Sequence, residues 1–135
     1  MNAEISLHTP NDGHRGIIFM VDDNLTQLKT GKNTLGVIYT VHTIPSVGRL
    51  FKLMETLLPD MIILDIEMPY MSGMDVLISL KSDPKTRRIP VIVYTARAEY
   101  ELESLERGAA DFVLKPCSPD VLLKRIEMRI DSKAR

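Results

Sequence analysis

The sequence predicts an α/β domain in which a five-stranded parallel sheet carries helices on both faces. Five short apolar runs alternate along the chain with five segments in which apolar residues recur at helical spacing. This alternation is typical of parallel strands that are joined by right-handed helical crossovers. Three of the runs are apolar throughout, as expected for central strands covered on both faces.

The predicted strands follow from these runs. They are Ile17–Val21, Val37–Ile44, Met61–Ile66, Pro90–Thr95 and Asp111–Lys115. The first, third and fourth contain the uninterrupted apolar stretches and are predicted to lie centrally. The second carries Thr40, His42 and Thr43, a mixture that favours an edge strand.

The first three predicted helices differ in how regularly their apolar residues repeat. The first (Leu25, Leu28, Leu35) is the weakest, because threonine and glycine residues interrupt it. The second is the strongest, and we expect Pro59 to end it. Its apolar positions are Val47, Leu50, Phe51, Met54, Leu57 and Leu58. The third is a shorter stripe of Met74, Leu77 and Leu80, closed by the turn Ser82-Asp83-Pro84.

The last two helices complete the alternation. The fourth is polar and has a weak stripe of Leu102, Leu105 and Ala109. The fifth has a well-marked start, with Ser118 as N-cap and Pro119 at the first helical position. Its apolar positions are Leu122, Leu123, Ile126 and Ile130. We expect one domain over residues 17–131, preceded by a flexible arm (1–16) and followed by a short tail (132–135).

Composition and charge narrow the class of function. The 135 residues are 44% hydrophobic and 26% charged, which suits one globular domain with its own core. A net charge of -1 argues against direct binding of nucleic acid or of an anionic membrane. The apolar runs are far shorter than the roughly 20 residues of a membrane span. Cys117 is the single cysteine, and residues 1–16 lack the apolar centre of a signal peptide, so we expect a cytoplasmic location.

Polar residues stand at the carboxyl ends of four predicted strands. Asp22 and Asp23 follow the first strand, Asp65 ends the third, Thr95 the fourth and Lys115 the fifth. Each has an ordinary explanation by itself, as a turn residue, a strand former or a solvated charge. In a doubly wound sheet, however, ligands bind beyond these ends, where the strand order reverses. The joint pattern therefore predicts a shared site.

The chemistry of these side chains is consistent with phosphoryl transfer. Three crowded carboxylates require a compensating cation, and Mg²⁺ accepts carboxylate oxygens while leaving room for a phosphoryl group. Asp22 and Asp23 would hold the metal, while Asp65 would bind it and also attack phosphorus, forming an aspartyl phosphate. The Lys115 ammonium and the Thr95 hydroxyl would stabilise charge on the phosphoryl oxygens.

Four stretches of the chain resemble the receiver domain of bacterial response regulators. They are IIFMVDDN, MIILDIEMPYMSGMDVL, PVIVYTA and GAADFVLKPCSP, spread over residues 17–130. The pattern D-x-x-MP-x-x-x-G around Asp65 is the most specific single piece. The resemblance implies a flavodoxin-like sheet of strand order 2-1-3-4-5. It also implies Mg²⁺-dependent transfer of a phosphoryl group from a phosphohistidine donor to Asp65.

Carried over position by position, the resemblance makes Asp65 the phosphoacceptor and Asp22 with Asp23 the acidic pair. Glu67 would offer its backbone carbonyl to Mg²⁺. Lys115 would contact a phosphoryl oxygen, and the Lys115–Pro116 peptide would be cis, which is uncommon for X-Pro bonds in general. The chain would be a signalling phosphoacceptor that catalyses only its own phosphorylation and slow dephosphorylation, rather than an enzyme with a separate substrate.

The resemblance also implies partners and an output. The donor would be a sensor histidine kinase or a histidine phosphotransfer protein. Phosphorylation would pull Thr95 inward and let Phe112 rotate, although plain core packing is the alternative reading of Phe112. The segment KPCSPDVLLKRI resembles dimerising regulators, so a homodimer through the fourth and fifth helices is expected. No direct contact with nucleic acid or membrane is expected.

Two features depart from the shared pattern or vary within it. Glu67 and Arg97 lie two residues after Asp65 and Thr95, and we hypothesise that they pair and obstruct the hydrolytic water. The alternative is that both are simply solvated. Cys117 stands where many relatives have Phe, and a small buried hydrophobe is a simpler interpretation than a redox role.

Three other functions are compatible with an α/β domain. A haloacid-dehalogenase-type phosphatase also uses an aspartyl phosphate, but the sequence after Asp65 does not fit D-x-D-x-[TV]. A nucleotide-binding module would need G-x-G-x-x-G or a P-loop, and Gly31 to Gly36 is followed by Val37-Ile38 rather than Lys-Ser/Thr. A receiver that only docks is the third, and the intact set of site residues argues against it.

Overall fold

The structure is a computed structural model, and it describes residues 14–69 and 72–134. The elements in chain order are β1 (Ile17–Val21), α1 (Leu25–Leu35), β2 (Thr40–Ile44), α2 (Val47–Met54), β3 (Met61–Leu64), α3 (Gly73–Ser82), β4 (Val91–Thr95), α4 (Glu101–Glu106), β5 (Asp111–Leu114) and α5 (Pro119–Ala134). Most of the predicted arm, residues 1–13, lies outside the described residues. No helix within the described ranges is long and apolar enough to cross a bilayer.

The five strands form one parallel sheet in the order β2-β1-β3-β4-β5, which confirms the predicted fold class and strand order. The second strand is an edge strand, as its polar residues predicted. It begins at Thr40 rather than Val37, because the chain is still in the turn after α1 at that point and the Val37 side chain is exposed.

Each face of the sheet carries its own apolar cluster, because successive strand residues point to opposite faces. One cluster packs the sheet against α2 and α3; it contains Phe19, Leu50, Ile62, Leu64, Leu77 and Val93, among others. The other packs it against α1 and α5; it contains Ile18, Met20, Leu28, Ile63, Ile92 and Ile126, among others. Helices on both faces make the sheet doubly wound, as expected.

Two helical predictions were wrong in detail. Helix α2 ends at Met54, before the predicted stop at Pro59, so Leu57 and Leu58 lie in the connection to β3. The predicted inner stripe of the fourth helix is also wrong, since Leu102 and Leu105 are exposed (68% and 42%).

The inward residue of α4 is instead Ser104, which is fully buried. The physical reason lies at the two ends of this six-residue helix. Tyr100 before it and Ala109 after it pack against the first apolar cluster and thereby set which side faces the sheet. A weak leucine stripe on so short a helix does not override these anchors.

Candidate functional site

The parallel sheet brings the carboxyl ends of β1, β3, β4 and β5 to the same rim, with β4 extending two residues beyond Val93, the partner of Leu64. Val21 of β1 pairs with Leu64 of β3, and Thr95 of β4 pairs with Leu114 of β5. Asp22, Asp65 and Lys115 are the residues that follow these paired positions. They therefore emerge on one rim, although 93 residues separate Lys115 from Asp22.

Lys115 joins the two buried carboxylates of this rim. Its Nζ donates to Asp22 Oδ2 at 2.7 Å and to Asp65 Oδ2 at 3.0 Å. The three side chains are largely buried, with exposed fractions of 12% for Lys115, 3% for Asp22 and 11% for Asp65. The structure thus brings together three of the predicted site residues, with the carboxylates of Asp22 and Asp65 both in contact with the Lys115 ammonium.

Local turns fix the orientation of the Asp22 and Asp65 carboxylates. The second oxygen of Asp22 accepts from the backbone N–H of Asn24 at 2.9 Å, and that of Asp65 accepts from the N–H of Glu67 at 2.9 Å. Asn24 in turn caps α1 by accepting from the N–H of Gln27. Each acid therefore uses one oxygen to hold its loop and directs the other towards Lys115.

The ammonium of Lys115 remains charged in this environment. Burial alone would lower the pKa of Lys115, but the hydrogen bond to Asp22 and the charges of Asp22 and Asp65 outweigh it, and the pKa is raised. The lysine therefore supplies the positive charge that two neighbouring carboxylates require.

Thr95 contributes a hydroxyl that makes no hydrogen bond to the described residues. Its side chain is fully buried, and Oγ1 finds no hydrogen-bond partner among the described residues. An unpaired buried polar atom costs roughly 1–3 kcal/mol, so such atoms are uncommon away from functional sites. The hydroxyl can donate to an acceptor that arrives at the rim.

Asp23 differs from the buried residues of this group in its exposure to solvent. It is exposed and lines a cavity of about 540 Å³ whose walls are mainly apolar, formed in part by Pro45, Phe51 and Met68. Within the described ranges, no three His, Cys, Asp or Glu side chains form a ready-made metal cluster. The joint binding of a metal by Asp22, Asp23 and Asp65 stays a prediction.

The donor set nevertheless fits Mg²⁺. Asp22 Oδ2 and Asp65 Oδ2 both reach a single cationic atom, the Nζ of Lys115, so they are close enough to share one ion. All the candidate ligands are oxygens, which is the preference of this metal. The solvent-facing carboxylate of Asp23 is adjacent to Asp22 in the chain.

The predicted pairing of Glu67 with Arg97 is confirmed. Arg97 Nη1 donates to Glu67 Oε2 at 2.8 Å, and the guanidinium also contacts Glu99 and lies 5.5 Å from the ring centroid of Tyr100. Hydrogen bonds to Glu99 and Glu67 raise the pKa of Arg97. The pair is about half exposed, at 41% and 45%, so it forms a polar bridge at the mouth of the site.

The glycine of the D-x-x-MP-x-x-x-G pattern is Gly73, and its backbone surroundings explain why no larger residue fits there. A β-carbon at this position would collide with the Cα of Ile66 and would lie 2.9 Å from the carbonyl oxygen of Asp65. The start of α3 therefore approaches the end of β3 at backbone distance, which only glycine allows. Tyr70 and Met71, within the same pattern, lie outside the described residues.

Three further expectations concern β5 and the loop after it. The Lys115–Pro116 peptide is cis, as the resemblance implied. Phe112 is buried in the first apolar cluster, which agrees with its interpretation as a core residue. Cys117 is half-buried rather than buried, and its thiol contacts the carbonyl oxygen of Ser118 at 3.3 Å.

The sequence reasoning missed Tyr94. Its ring centroid lies 5.1 Å from the Nζ of Lys115, on the side of the sheet that faces α1 and α5. Strand alternation places Tyr94 opposite Thr95, but nothing in the order of residues indicates that the lysine of another strand lies over the ring.

Comparison with known proteins identifies the class that this fold and site define. The family model described as "Response regulator receiver domain" matches residues 18–127. The chain therefore belongs to the response regulator receiver domain family.

Individual relatives agree with this assignment. The chain is 33% identical over 118 residues to a probable cyclic di-GMP phosphodiesterase of Vibrio cholerae, a match covering 86% of this chain and 27% of the relative. It is 46% identical over 72 residues to the response regulator PleD of Caulobacter vibrioides, covering 51% and 16%. The chain thus spans less than a third of either relative, and the name of each relative refers to its whole, much longer chain.

A solved structure gives the same answer for the fold. The CheY-like response regulator receiver domain protein of Methanospirillum hungatei superimposes with a TM-score of 0.81 at 26% identity. The match covers 87% of this chain and 95% of that one. The likeness therefore extends over essentially the whole described domain.

Proposed function

We propose that Asp65 accepts a phosphoryl group from a phosphohistidine donor in a Mg²⁺-dependent reaction and that this modification switches an output face. The observation that carries the proposal is the convergence of Asp22 and Asp65 on Lys115, whose backbone N–H donates to the carbonyl oxygen of Thr95 at 2.8 Å. The buried hydroxyl of Thr95 has no partner among the described residues. The donor is a sensor histidine kinase or a histidine phosphotransfer protein. The single cysteine is consistent with a reducing compartment, and we place the reaction in the cytoplasm.

In this reaction a carboxylate oxygen of Asp65 attacks phosphorus while the bond from phosphorus to the donor imidazole breaks, and its electron pair leaves on the imidazole nitrogen. The N–H of Glu67 holds the Asp65 carboxylate in place. Lys115, which already lies 3.0 Å from Asp65 Oδ2, needs to move little to contact a phosphoryl oxygen. The Thr95 hydroxyl donates to another oxygen of the same group.

Mg²⁺ would be held by Asp22, Asp23, Asp65 and the backbone carbonyl of Glu67, and when bound it neutralises charge on the phosphoryl oxygens. Until then Lys115 serves as the counter-charge of Asp22 and Asp65. The exposed Asp23 carboxylate can turn towards the rim from its place on the cavity wall.

The switch follows from the Thr95 hydroxyl. A phosphoryl group at Asp65 carries up to about −2 charges in place of the single charge of the carboxylate, and it supplies the acceptor that Thr95 lacks among the described residues. Movement of Thr95 towards the rim alters the packing around Phe112 and β5. The surface next to it exposes Leu102 and Leu105 of α4, Leu114 of β5 and Val121 of α5.

This apolar α4–β5–α5 surface supports homodimer formation as the output, with a second copy of the chain as the occupant. Its four exposed apolar side chains come from the edge strand β5 and from the helices before and after it in the chain. A symmetric contact between two such surfaces would cover them in both copies.

The decisive experiment is intact-mass analysis of the chain after incubation with acetyl phosphate and Mg²⁺. The unmodified chain should gain the mass of one phosphoryl group, and the gain should disappear when the metal is chelated. Asp65→Asn should abolish it, whereas Asp120→Asn, which changes an exposed carboxylate at the start of α5, should not. A chain that stays unmodified, or an Asp65→Asn variant that is still modified, would overturn the proposal.

A further inference from the structure

Tyr94 lies directly beneath the cation of the site. It precedes Thr95 in β4, is half-buried, and packs against the cluster on the α1 and α5 side of the sheet. Its ring centroid is 5.1 Å from Lys115 Nζ, which is within the distance of about 6 Å at which an ammonium is attracted by an aromatic face.

The ring complements the two carboxylates around Lys115. An ammonium has three N–H groups, and Asp22 and Asp65 accept from Nζ at 2.7 and 3.0 Å. The aromatic face attracts the ammonium through its quadrupole, without neutralising its charge. The lysine is thus held by two anions and by one uncharged group.

Phosphoryl transfer would replace both anionic partners of Lys115 by an oxygen of the phosphoryl group, so the ammonium has to keep its place during this exchange. The Asp65 oxygen becomes part of the acyl phosphate, and Asp22 is needed as a metal ligand. Neither event removes the contact between the Lys115 ammonium and the Tyr94 ring. A lysine side chain has several freely rotating bonds, so without such a contact the ammonium would gain freedom to turn towards solvent.

We propose that Tyr94 is a positioning residue for phosphoryl transfer, because its ring face holds the Lys115 ammonium at the rim while Asp22 and Asp65 exchange partners. The inference rests on the proposed function and deepens it. The ring face carries the effect rather than the hydroxyl. Burial, and then the charge of Cys117, raise the pKa of Tyr94, so the phenol stays neutral and the ring differs little from that of phenylalanine.

The contact can be measured without any reaction. In the full chain with ¹³C-labelled lysine, protons next to Nζ of Lys115 should be shifted upfield by the ring current. The shift should persist in Tyr94→Phe and vanish in Tyr94→Leu, and loss of the signal in Lys115→Arg assigns it. An identical Lys115 signal in the unmodified chain and Tyr94→Leu would overturn the inference.

The effect on the reaction separates positioning from a merely structural role. At saturating acetyl phosphate and Mg²⁺, Tyr94→Phe should phosphorylate at the rate of the unmodified chain, and Tyr94→Leu about tenfold more slowly. The donor concentration at half-saturation should be unchanged, because the ring packs on the side of the sheet that faces α1 and α5. Leu122→Ala, which removes packing from the same cluster, should lower stability without this loss of rate. Should Tyr94→Leu not fold, Tyr94→Ile, a stronger strand former, makes the same comparison.

Failure of this inference differs from failure of the proposed function. If the unmodified chain takes up no phosphoryl group, the proposed function fails, while the lysine signal still reports whether the ring holds Lys115. If the chain without substitutions is phosphorylated and Tyr94→Leu reacts at the same rate, the positioning role of Tyr94 is wrong and the proposed function stands.

Discussion

Arg97 donates to the carboxylate of Glu67 at 2.8 Å, and this ion pair bridges the loops that follow β4 and β3. The backbone N–H of Glu67 simultaneously holds one carboxylate oxygen of Asp65. A surface ion pair is thereby tied to the proposed phosphoacceptor through one residue. The side chains of the pair lie at the mouth of the site, where a hydrolytic water would enter.

Removing the pair should shorten the life of the aspartyl phosphate. Arg97→Ala removes the ion-pair partner of Glu67 and opens the mouth of the site, so hydrolysis should accelerate by up to about fivefold. The half-life is measured by the decay of the phosphorylated mass after the donor is removed. Arg107→Ala, which removes the exposed Arg107–Glu103 pair, is the matched control. An unchanged half-life in Arg97→Ala would show that the pair does not screen the site.

Thr95 and Ser104, whose buried hydroxyls have no partner within the described part of the chain, should respond differently to removal of the oxygen. Thr95→Val and Ser104→Ala each delete an unsatisfied buried oxygen, so each should raise the free energy of unfolding by about 1 kcal/mol. Only Thr95→Val should slow phosphorylation, because only that oxygen lies at the rim. Urea unfolding and phosphorylation rates test both variants. Equal rates in Thr95→Val and the unmodified chain would contradict the role of this hydroxyl.

Gly73 should tolerate no side chain. Gly73→Ala places a methyl group against the backbone of Ile66 and Asp65, so it should lower the free energy of unfolding by about 1–3 kcal/mol. Gly48→Ala is the matched control, because a β-carbon there meets nothing within 4 Å in α2, where alanine favours the helix by about 0.5–1 kcal/mol. Denaturant unfolding of the two variants should give shifts of opposite sign, and a stabilised Gly73→Ala would refute this interpretation of the backbone contact.

Homodimer formation should depend on the α4–β5–α5 surface. Beryllofluoride, a mimic of the phosphoryl group, should convert the chain from monomer to dimer in sedimentation experiments with Mg²⁺. Leu102→Arg should prevent the conversion, because it places a charge in the proposed contact. Leu25→Arg alters a leucine of similar exposure (70% against 68%) on α1 and should not. A chain that remains monomeric with the mimic would count against the dimer.

The sequence alone determined the fold class and the polar residues at the ends of β1, β3, β4 and β5. Apolar runs such as Ile17–Val21 reveal strands because burial on both faces requires apolar side chains at every position. Polar residues that follow such runs stand out against an apolar background, and Asp22, Asp65, Thr95 and Lys115 are recognisable for this reason. The strong cap at Ser118 and Pro119 likewise defined the start of α5.

Tertiary structure decided what depends on contacts between distant segments. The outward leucines of α4 follow from the anchors at Tyr100 and Ala109, since a helix of six residues is oriented by its ends. The burial of Asp22 beside an exposed Asp23 depends on the turn after β1, in which the N–H of Asn24 holds the Asp22 carboxylate. The place of Tyr94 beneath Lys115 depends on the pairing of β4 with β5, because local sequence carries no information about which side chain crosses from a neighbouring strand.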